Sequence, residues 1–197
     1  MKRLKNIGVF ILTALFIIFT GLYARANNET KEYGWGIKPG KPGEKPDVGI
    51  YGSIISKHNA LYIDNTTSKK IYLTFDAGYE TGHTSKILDV LKKEKVKSVF
   101  FLTGDYLKKE PELVKRMVKE GHIVGNHTWS HANLTRVNKE QYKNELEKFE
   151  DYYTKITGKK LMKIMRPPAG TFNERSLRYA DELEVPAGGR IIFINFL

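Results

Sequence analysis

The sequence of 197 residues contains no cysteine. Neither a disulfide nor a thiolate metal site is therefore available, and the stability of the fold must come from a packed core. The sequence also shows no internal repeat. Its hydrophobic fraction of 41% is ordinary for a globular protein, and its length is sufficient for one domain with a sizeable core.

Acidic residues are absent from the first 26 positions. Residues 2–5 carry three cations, and residues 7–23 are mainly apolar. The apolar stretch is followed by Ala24-Arg25-Ala26, a small-x-small pattern that is typical of a cleavage site. We interpret residues 1–26 as a secretory signal peptide. The alternative is an uncleaved N-terminal anchor, because about 17 apolar residues approach the length of a short transmembrane helix.

Glycine and proline are frequent between residues 34 and 46. We therefore expect residues 27–68 to form a linker and N-terminal extension that leads to one domain over residues 69–197. Trp35 in this extension either docks on the domain or is exposed. The net charge is +11, which for an exported chain favours an anionic cell envelope over nucleic acid as its neighbour.

Short apolar runs alternate with amphipathic ones from residue 69 onward, a pattern that is typical of parallel β/α units. The predicted strands are residues 69–75, 98–102, 122–125, 161–165 and 190–195. The predicted helices begin near residues 84, 111, 139 and 174. Asn138 with Gln141 resembles a capping box, and Asn173 can cap the last helix. The sequence thus predicts an α/β fold, either an open sheet or a barrel with units missing.

Polar side chains gather at the ends of three predicted strands. Asp76 follows the first, His127 and His131 follow the third, and Arg166 follows the fourth. In such folds the C-terminal ends of the parallel strands lie at the same end of the sheet, which we call the mouth. We therefore expect these side chains to meet at the mouth.

The spacing of His127 and His131 would place both imidazoles on one side of a helical turn, as in many sites for Zn²⁺. Such a pair alone is weak evidence, and its position beside Asp76 strengthens it. Catalytic zinc usually takes three protein ligands, and Ala77, which is next to Asp76, cannot supply the third.

Asp76 is either a turn or capping residue or a functional carboxylate. Arg166, in a loop stiffened by Pro167 and Pro168, favours the second reading, because its guanidinium can orient Asp76 through a bidentate pair. A carboxylate held in this way can act as a general base.

Two other groups of residues remain open at this point. Tyr79 and Glu80 either line the mouth or face solvent as turn residues. The remaining histidines have no partner at an informative spacing, and we interpret each as a surface or strand-edge residue. They are His58, His83 and His122.

Three motifs resemble those of the polysaccharide deacetylase (NodB homology) family, also called carbohydrate esterase family 4. They are Thr74-Phe75-Asp76, His127-Thr-Trp-Ser-His131 and Arg166-Pro-Pro-Ala-Gly170, in this order. Tyr33-Gly-Trp-Gly36 and Gly78-Tyr79-Glu80 add a likeness to its delta-lactam-biosynthetic branch, which acts on peptidoglycan muramic acid in spore formers.

The resemblance implies a distorted (β/α) barrel of the NodB type, with four or five units present, and metal-assisted hydrolysis of N-acetyl groups. A water attacks the acetyl carbonyl while a base removes its proton. The implied metal is Zn²⁺, with Mn²⁺ or Co²⁺ as alternatives. The implied roles are Asp76 as base, Arg166 as its tether, His127 and His131 as metal ligands, and Tyr79, Pro168 and Gly170 as substrate contacts.

The resemblance also has two departures. Ala77 stands where the family usually has a second Asp that binds metal, so we expect weaker metal affinity. The sequence ends at Leu197 without the family's late Asp-Trp segment and Leu-x-His motif, whose imidazole protonates the leaving amine, and residues 184–190 differ from the family pattern. We therefore expect a truncated domain with reduced activity.

The resemblance implies peptidoglycan glycan strands as the partner, with no nucleic acid and with membrane contact only through the N-terminal segment. The expected location is outside the cytoplasm, associated with the membrane or cell wall. The alternative function is a non-catalytic protein that binds the cell wall.

Overall fold

The computed structural model describes residues 2–36, 41, 44, 47–58, 60–61, 71–183 and 190–192. The helices are α1 (Lys2–Thr30), α2 (Tyr51–Ile55), α3 (Thr84–Lys93), α4 (Gly104–Lys109), α5 (Pro111–Lys119), α6 (Lys139–Thr157) and α7 (Glu174–Glu182). The strands are β1 (Tyr33–Gly34), β2 (Ala60–Leu61), β3 (Leu73–Ala77), β4 (Ser98–Leu102), β5 (Ile123–Asn126), β6 (Ile164–Met165), β7 (Thr171–Phe172) and β8 (Arg190–Ile192).

Six parallel strands form one sheet in the order β2-β8-β6-β5-β4-β3. The sheet curls into a half-barrel, which confirms the expected incomplete barrel of β/α units. A separate antiparallel ribbon joins β1 to β7, with Tyr33 opposite Phe172. The C-terminal ends of β3, β5 and β6 therefore lie at the same end of the sheet, where the polar residues are found.

The ends of the long helix α6 follow from local sequence. Asn138 Oδ1 accepts a hydrogen bond from the Gln141 amide at 2.9 Å, and Gln141 Oε1 accepts one from the Asn138 amide at 2.9 Å. This reciprocal pair is the predicted capping box. Gly158 ends the helix with φ 65°, a left-handed conformation that favours glycine. Asn173 and Ser176 cap α7 in the same way.

The core consists of two clusters of buried side chains. One lies between the sheet and helices α3 to α6, and it includes Leu88, Phe100 and Phe149. The other includes Ile55, Met165 and Phe172, and partly buried Tyr33, Trp35 and Tyr51 pack against it. Residues before position 69 thus contribute to the core of the domain.

The N-terminal extension is tied to the domain at several points. The Trp35 amide donates to the Gly170 carbonyl at 2.8 Å, and β2 pairs with β8. The position of the domain boundary at residue 69 stays a prediction. Residues 37–40, 42–43, 45–46 and 62–70, which include most of the proline- and glycine-rich stretch, lie outside the described residues, as do residues 184–189 and 193–197.

Helix α1 covers the stretch interpreted as a signal peptide or anchor. Positions 24–26 lie within this helix, and its last turn contacts α7 through Arg178 Nη1 and Glu29 Oε2 at 3.1 Å. In the part of the chain that the structure covers, no helix combines the length and the apolar character needed to cross a membrane. The assignment of residues 1–26 stays a prediction.

The first predicted strand is less buried than its apolar residues suggest. β3 has one neighbour, β4, among the described strands and lies at the edge of the sheet. Ile71 is therefore 74% exposed, and Tyr72 and Leu73 are also exposed. The fourth predicted strand is shorter than residues 161–165, because only Ile164 and Met165 pair with neighbours. Of the last predicted strand, residues 190–192 form β8 and the rest is not described.

Candidate active site

Asp76 and Arg166 meet at the C-terminal mouth of the half-barrel. Arg166 Nη1 donates to Asp76 Oδ1 at 2.6 Å and to Thr74 Oγ1 at 3.1 Å. Thr74 and Asp76 are two positions apart on β3, so their side chains face the same side of the strand. The Arg166 side chain is nearly buried, whereas that of Asp76 is 40% exposed. The guanidinium thus orients a carboxylate that solvent and substrate can reach.

Phe101 supports this pair from the neighbouring strand. Its Cα lies opposite that of Asp76 in the β3–β4 register, and the Arg166 guanidinium stands 4.3 Å from the centre of its ring. On the next strand, a Cβ at Gly125 would come within 2.5 Å of the Phe101 ring. The absence of a side chain at Gly125 therefore provides the space for the Phe101 ring, and the ring packs against the Arg166 guanidinium.

His127 follows β5 and is fixed by contacts with the two neighbouring strands, at the ends of β4 and β6. Its amide donates to the Leu102 carbonyl at 2.9 Å, and its Nδ1 lies 2.8 Å from the Arg166 carbonyl oxygen. A carbonyl only accepts hydrogen bonds, so Nδ1 carries the hydrogen and Nε2 carries the lone pair. Burial lowers the pKa of His127, which favours the neutral imidazole.

The expected helical turn between His127 and His131 is not present. The backbone of this loop is irregular, and Thr128 and His131 have φ values of 69° and 60°. The two imidazoles nevertheless contact each other, with ring centres 5.0 Å apart. The loop geometry, rather than helical periodicity, brings them together.

Neighbouring elements hold this loop through residues that the sequence did not single out. Glu145 on α6 accepts from the Ser130 amide at 2.8 Å and from the Ser130 hydroxyl at 2.7 Å, and its carbonyl accepts from the Trp129 amide at 3.1 Å. The Gly104 amide donates to the carbonyls of Thr128 and Trp129. A glycine is required at position 104, since a Cβ there would lie 2.3 Å from the Trp129 ring. No local sequence signal links Glu145 to the loop.

The two imidazoles fit a metal site in part. The hydrogen bond from His127 Nδ1 to a carbonyl is typical of histidines that bind metal through Nε2. Ala77 provides no ligand at the position next to Asp76. Over the described ranges, no three His, Asp or Glu side chains are close enough together to hold a metal ion. The donor set therefore offers two nitrogen ligands and leaves the other positions to water or substrate.

Glu80 is a helix cap rather than part of the mouth. Its Oε1 accepts from the His83 amide at 2.7 Å and the Thr84 amide at 3.2 Å, and its Oε2 accepts from the Tyr106 hydroxyl at 2.9 Å. Burial raises the pKa of Glu80, but these hydrogen bonds together lower it to about 2. Tyr79 is 75% exposed beside the end of β3, and its role as a substrate contact stays a prediction.

Pro168 and Gly170 lie in a single 3₁₀ turn that follows Arg166. Pro168 is buried, and Gly170 has φ 62°. A Cβ at Gly170 would lie 3.1 Å from the Trp35 Cβ, so Gly170 leaves room for the N-terminal extension. Their predicted contact with substrate stays a prediction.

Two histidines differ from their interpretation as surface or strand-edge residues. His122 is buried, and its Nδ1 accepts from the Ser98 amide at 3.2 Å. His58 Nδ1 pairs with Asp181 Oδ2 at 2.6 Å and joins the N-terminal extension to α7. His83 is exposed, as expected. Sequence spacing could not show these contacts, since both partners come from other elements.

Comparison with known proteins identifies the family of this chain. The family model for polysaccharide deacetylase matches residues 63–188. The chain therefore belongs to the polysaccharide deacetylase family.

Two curated relatives and one solved structure extend the comparison. The chain is 46% identical over 150 residues to the peptidoglycan-N-acetylmuramic acid deacetylase PdaA of Bacillus subtilis, covering 76% of this chain and 57% of PdaA. It is 40% identical over 130 residues to a peptidoglycan-N-acetylglucosamine deacetylase of Bacillus cereus, covering 66% of this chain and 47% of that protein. The solved structure of Bacillus subtilis PdaA, a family 4 carbohydrate esterase, superimposes with a TM-score of 0.77 at 43% identity, covering 83% of this chain and 68% of that one. The chain thus spans about half the length of the curated relatives it matches.

Proposed function

We propose that the protein hydrolyses N-acetyl groups of peptidoglycan amino sugars, with Asp76 as the general base. The observation that carries this proposal is the 2.6 Å contact between Arg166 and Asp76 beside two adjoining imidazoles. Family membership makes amide hydrolysis on a polysaccharide the reaction class that this arrangement serves.

The proposed substrate is N-acetylmuramic acid, whose deacetylation leads to a delta-lactam in spore cortex. The identity to the muramic acid enzyme PdaA, 46%, exceeds the 40% to the glucosamine enzyme of Bacillus cereus. This difference supports muramic acid over glucosamine.

Asp76 would accept the proton of the attacking water through its exposed carboxylate. Arg166 and Thr74 restrict the rotation of that carboxylate, because Arg166 Nη1 contacts both residues. Fixing the base in one orientation lowers the entropic part of the barrier. The Arg166 guanidinium also packs on the Phe101 ring, which limits its own movement.

His127 through Nε2 and His131 would hold a divalent cation. We propose Zn²⁺, with Mn²⁺ or Co²⁺ as alternatives, and such an ion would polarise the acetyl carbonyl as a Lewis acid. Because Ala77 provides no carboxylate, the affinity should be lower than that of a site with three protein ligands.

A function on peptidoglycan places the protein outside the cytoplasm, on the glycan strands of the cell wall. The N-terminal segment would direct the chain there, as a signal peptide or as an anchor. Peptidoglycan is also the partner that the two named relatives act on.

A second candidate function is binding to the cell wall without catalysis. The absence of a third metal ligand among the described residues favours it. In that case Asp76 and Arg166 form a structural pair across the half-barrel.

The test is acetate release from peptidoglycan by the full chain, with and without added Zn²⁺, for the wild type and Asp76→Asn. Asp105→Asn, which removes an exposed carboxylate paired with Lys109, is the matched control. We expect metal-stimulated release that persists in the control and is lost in Asp76→Asn. Mass spectrometry of the muropeptides shows whether muramic acid or glucosamine loses its acetyl group. Peptidoglycan binding by a folded protein, without release and without an effect of chelator, would support the second function instead.

A further inference from the structure

A basic groove lies at the opposite end of the sheet from Asp76 and Arg166. It occupies about 670 Å³ beside helices α3 and α5 and the amino ends of β4 and β5. Six cations line it: Lys92, Lys95, Lys97, Lys115, Arg116 and Lys119.

The acidic residues of the groove neutralise only part of this charge. Arg116 pairs with Asp89 at 2.5 Å and with Glu120 at 2.9 Å, and Lys115 pairs with Glu112 at 2.7 Å. The other four lysines have no carboxylate within ion-pair distance among the described residues. They are Lys92, Lys95, Lys97 and Lys119. The groove therefore carries uncompensated positive charge.

Helix stabilisation explains only some of these lysines. Lys92 and Lys119 lie in the last turns of α3 and α5, where a cation interacts favourably with the helix dipole. Lys97 also has a structural role, because its Nζ donates to the Glu120 carbonyl at the end of α5. Lys95 lies beyond the last turn of α3, where the helix dipole has less effect. The concentration of these four lysines in one concave surface points to a ligand.

His122 adds a buried donor to the wall of the groove. Its Nδ1 accepts from the Ser98 amide, so Nε2 carries the hydrogen. Within the described residues, Nε2 has no hydrogen-bond partner, and Glu120 Oε2 stands 4.0 Å away. The His122 side chain is 1% exposed. Glu120 Oε2 also lacks a hydrogen-bond partner and is the acceptor that faces this donor, so His122 offsets part of the Glu120 charge inside the wall of the groove.

The lining restricts the class of anion. Every described residue that lines the groove is charged or is histidine. None of these residues has an apolar side chain that could enter a bilayer or an aromatic ring of Phe, Tyr or Trp that could stack on nucleic acid bases. The concave shape and the spread of the charges fit a linear chain better than a flat surface.

We propose that this groove binds a linear phosphodiester-linked polyanion without aromatic bases, such as a poly(glycerol phosphate) of the cell wall. Binding there leaves the mouth at Asp76 free, so the polymer would hold the protein on the wall without competing with substrate. The choice of a cell-wall polymer rests on the location given by the proposed function, whereas binding in the groove does not require deacetylation.

The test measures binding of the full chain to purified poly(glycerol phosphate) over a series of salt concentrations. The groove variant is Lys92→Gln with Lys95→Gln and Lys119→Gln. The matched control removes the same charge from exposed lysines elsewhere, with Lys148→Gln, Lys159→Gln and Lys160→Gln. Lys97 is kept because its Nζ donates to the Glu120 carbonyl. Circular dichroism melts check that both variants fold.

We expect the groove variant to bind at least about tenfold more weakly than the control at low salt. The slope of the logarithm of the binding constant against the logarithm of the salt concentration should decrease in magnitude by about two. Each lysine–phosphate contact contributes roughly 0.7 to 0.9 to this slope, and the groove variant lacks three lysines. Equal weakening in both variants would overturn the proposal, because it would reflect net charge alone. Groove-dependent binding that is as tight to anionic phospholipid vesicles or to a single-stranded oligonucleotide would also overturn it. Because no turnover is measured, the outcome is separate from the acetate test.

Discussion

Arg166 Nη1 lies 2.6 Å from Asp76 Oδ1, although the two residues are separated by three strand intervals. Asp76 is on β3, Arg166 follows β6, and β4 and β5 lie between them. In a flat sheet this separation is about 14 Å. The curl of the sheet and the length of the arginine side chain bridge this distance, and the Phe101 ring packs against the guanidinium on the way. The pair therefore depends on the tertiary fold as well as on the two residues.

Arg166→Lys should lower the kcat for acetate release about 100-fold. A lysine ammonium lacks the planar guanidinium that packs on Phe101 while its Nη1 contacts Thr74 and Asp76, so the base loses its fixed orientation. Steady-state kinetics on peptidoglycan fragments measure the change, with Arg136→Lys at an exposed position as the control. An unchanged kcat in Arg166→Lys would show that orientation of Asp76 does not limit the reaction.

Gly125→Ala should destabilise the domain by about 1–3 kcal/mol, because the new methyl group would overlap the Phe101 ring. Urea unfolding measures this loss. Gly34→Ala is the control, since its added Cβ would meet no atom within 4 Å. If the two alanine variants unfold at the same urea concentration, the space beside Phe101 is not tightly packed.

Glu145→Ala should weaken Zn²⁺ binding about tenfold or more, because it removes the hydrogen bonds that fix Ser130 and thereby the position of His131. Isothermal titration calorimetry measures the affinity without any need for turnover. Glu147→Ala, on the same helix and in a weak surface pair with Lys143, should bind Zn²⁺ like the wild type. Equal affinities for the two variants would exclude a positioning role for Glu145.

Glu80→Gln should lower the free energy of unfolding by about 1–2 kcal/mol at pH 7, because it removes a negative charge at the start of α3. The pKa of Glu80 is lowered from 4.5 to about 2, so its contribution is complete above pH 4.5. It should be lost as the pH falls from 4.5 through 2, because the unfolded state then binds the proton more readily.

Urea unfolding at several pH values tests this prediction for Glu80. Below pH 2 the wild type and Glu80→Gln should converge in stability. Glu94→Gln, at the other end of α3, should change stability by less than about 0.5 kcal/mol. A constant difference between wild type and Glu80→Gln across this range would contradict the assignment.

Local sequence was sufficient to predict most helices and strands of the domain. Strand β4 spans the predicted residues 98–102, and the capping box at Asn138 has the expected geometry. Such features depend on residues close together in the chain, so propensity and capping rules apply directly. The helical turn between His127 and His131 failed as a prediction because contacts with Gly104 and Glu145 override local periodicity.

The sequence by itself determined the order of β/α units and the polar residues that follow three of the strands, because these features are local and parallel strands share one direction. Only the tertiary structure decided which side chains touch. Three findings depend on sheet order and on packing between elements distant in sequence. They are the edge position of β3, the burial of His122 and the hydrogen bond from Ser130 to Glu145. These long-range contacts leave no periodic signal in the chain, because each partner is placed by its own element.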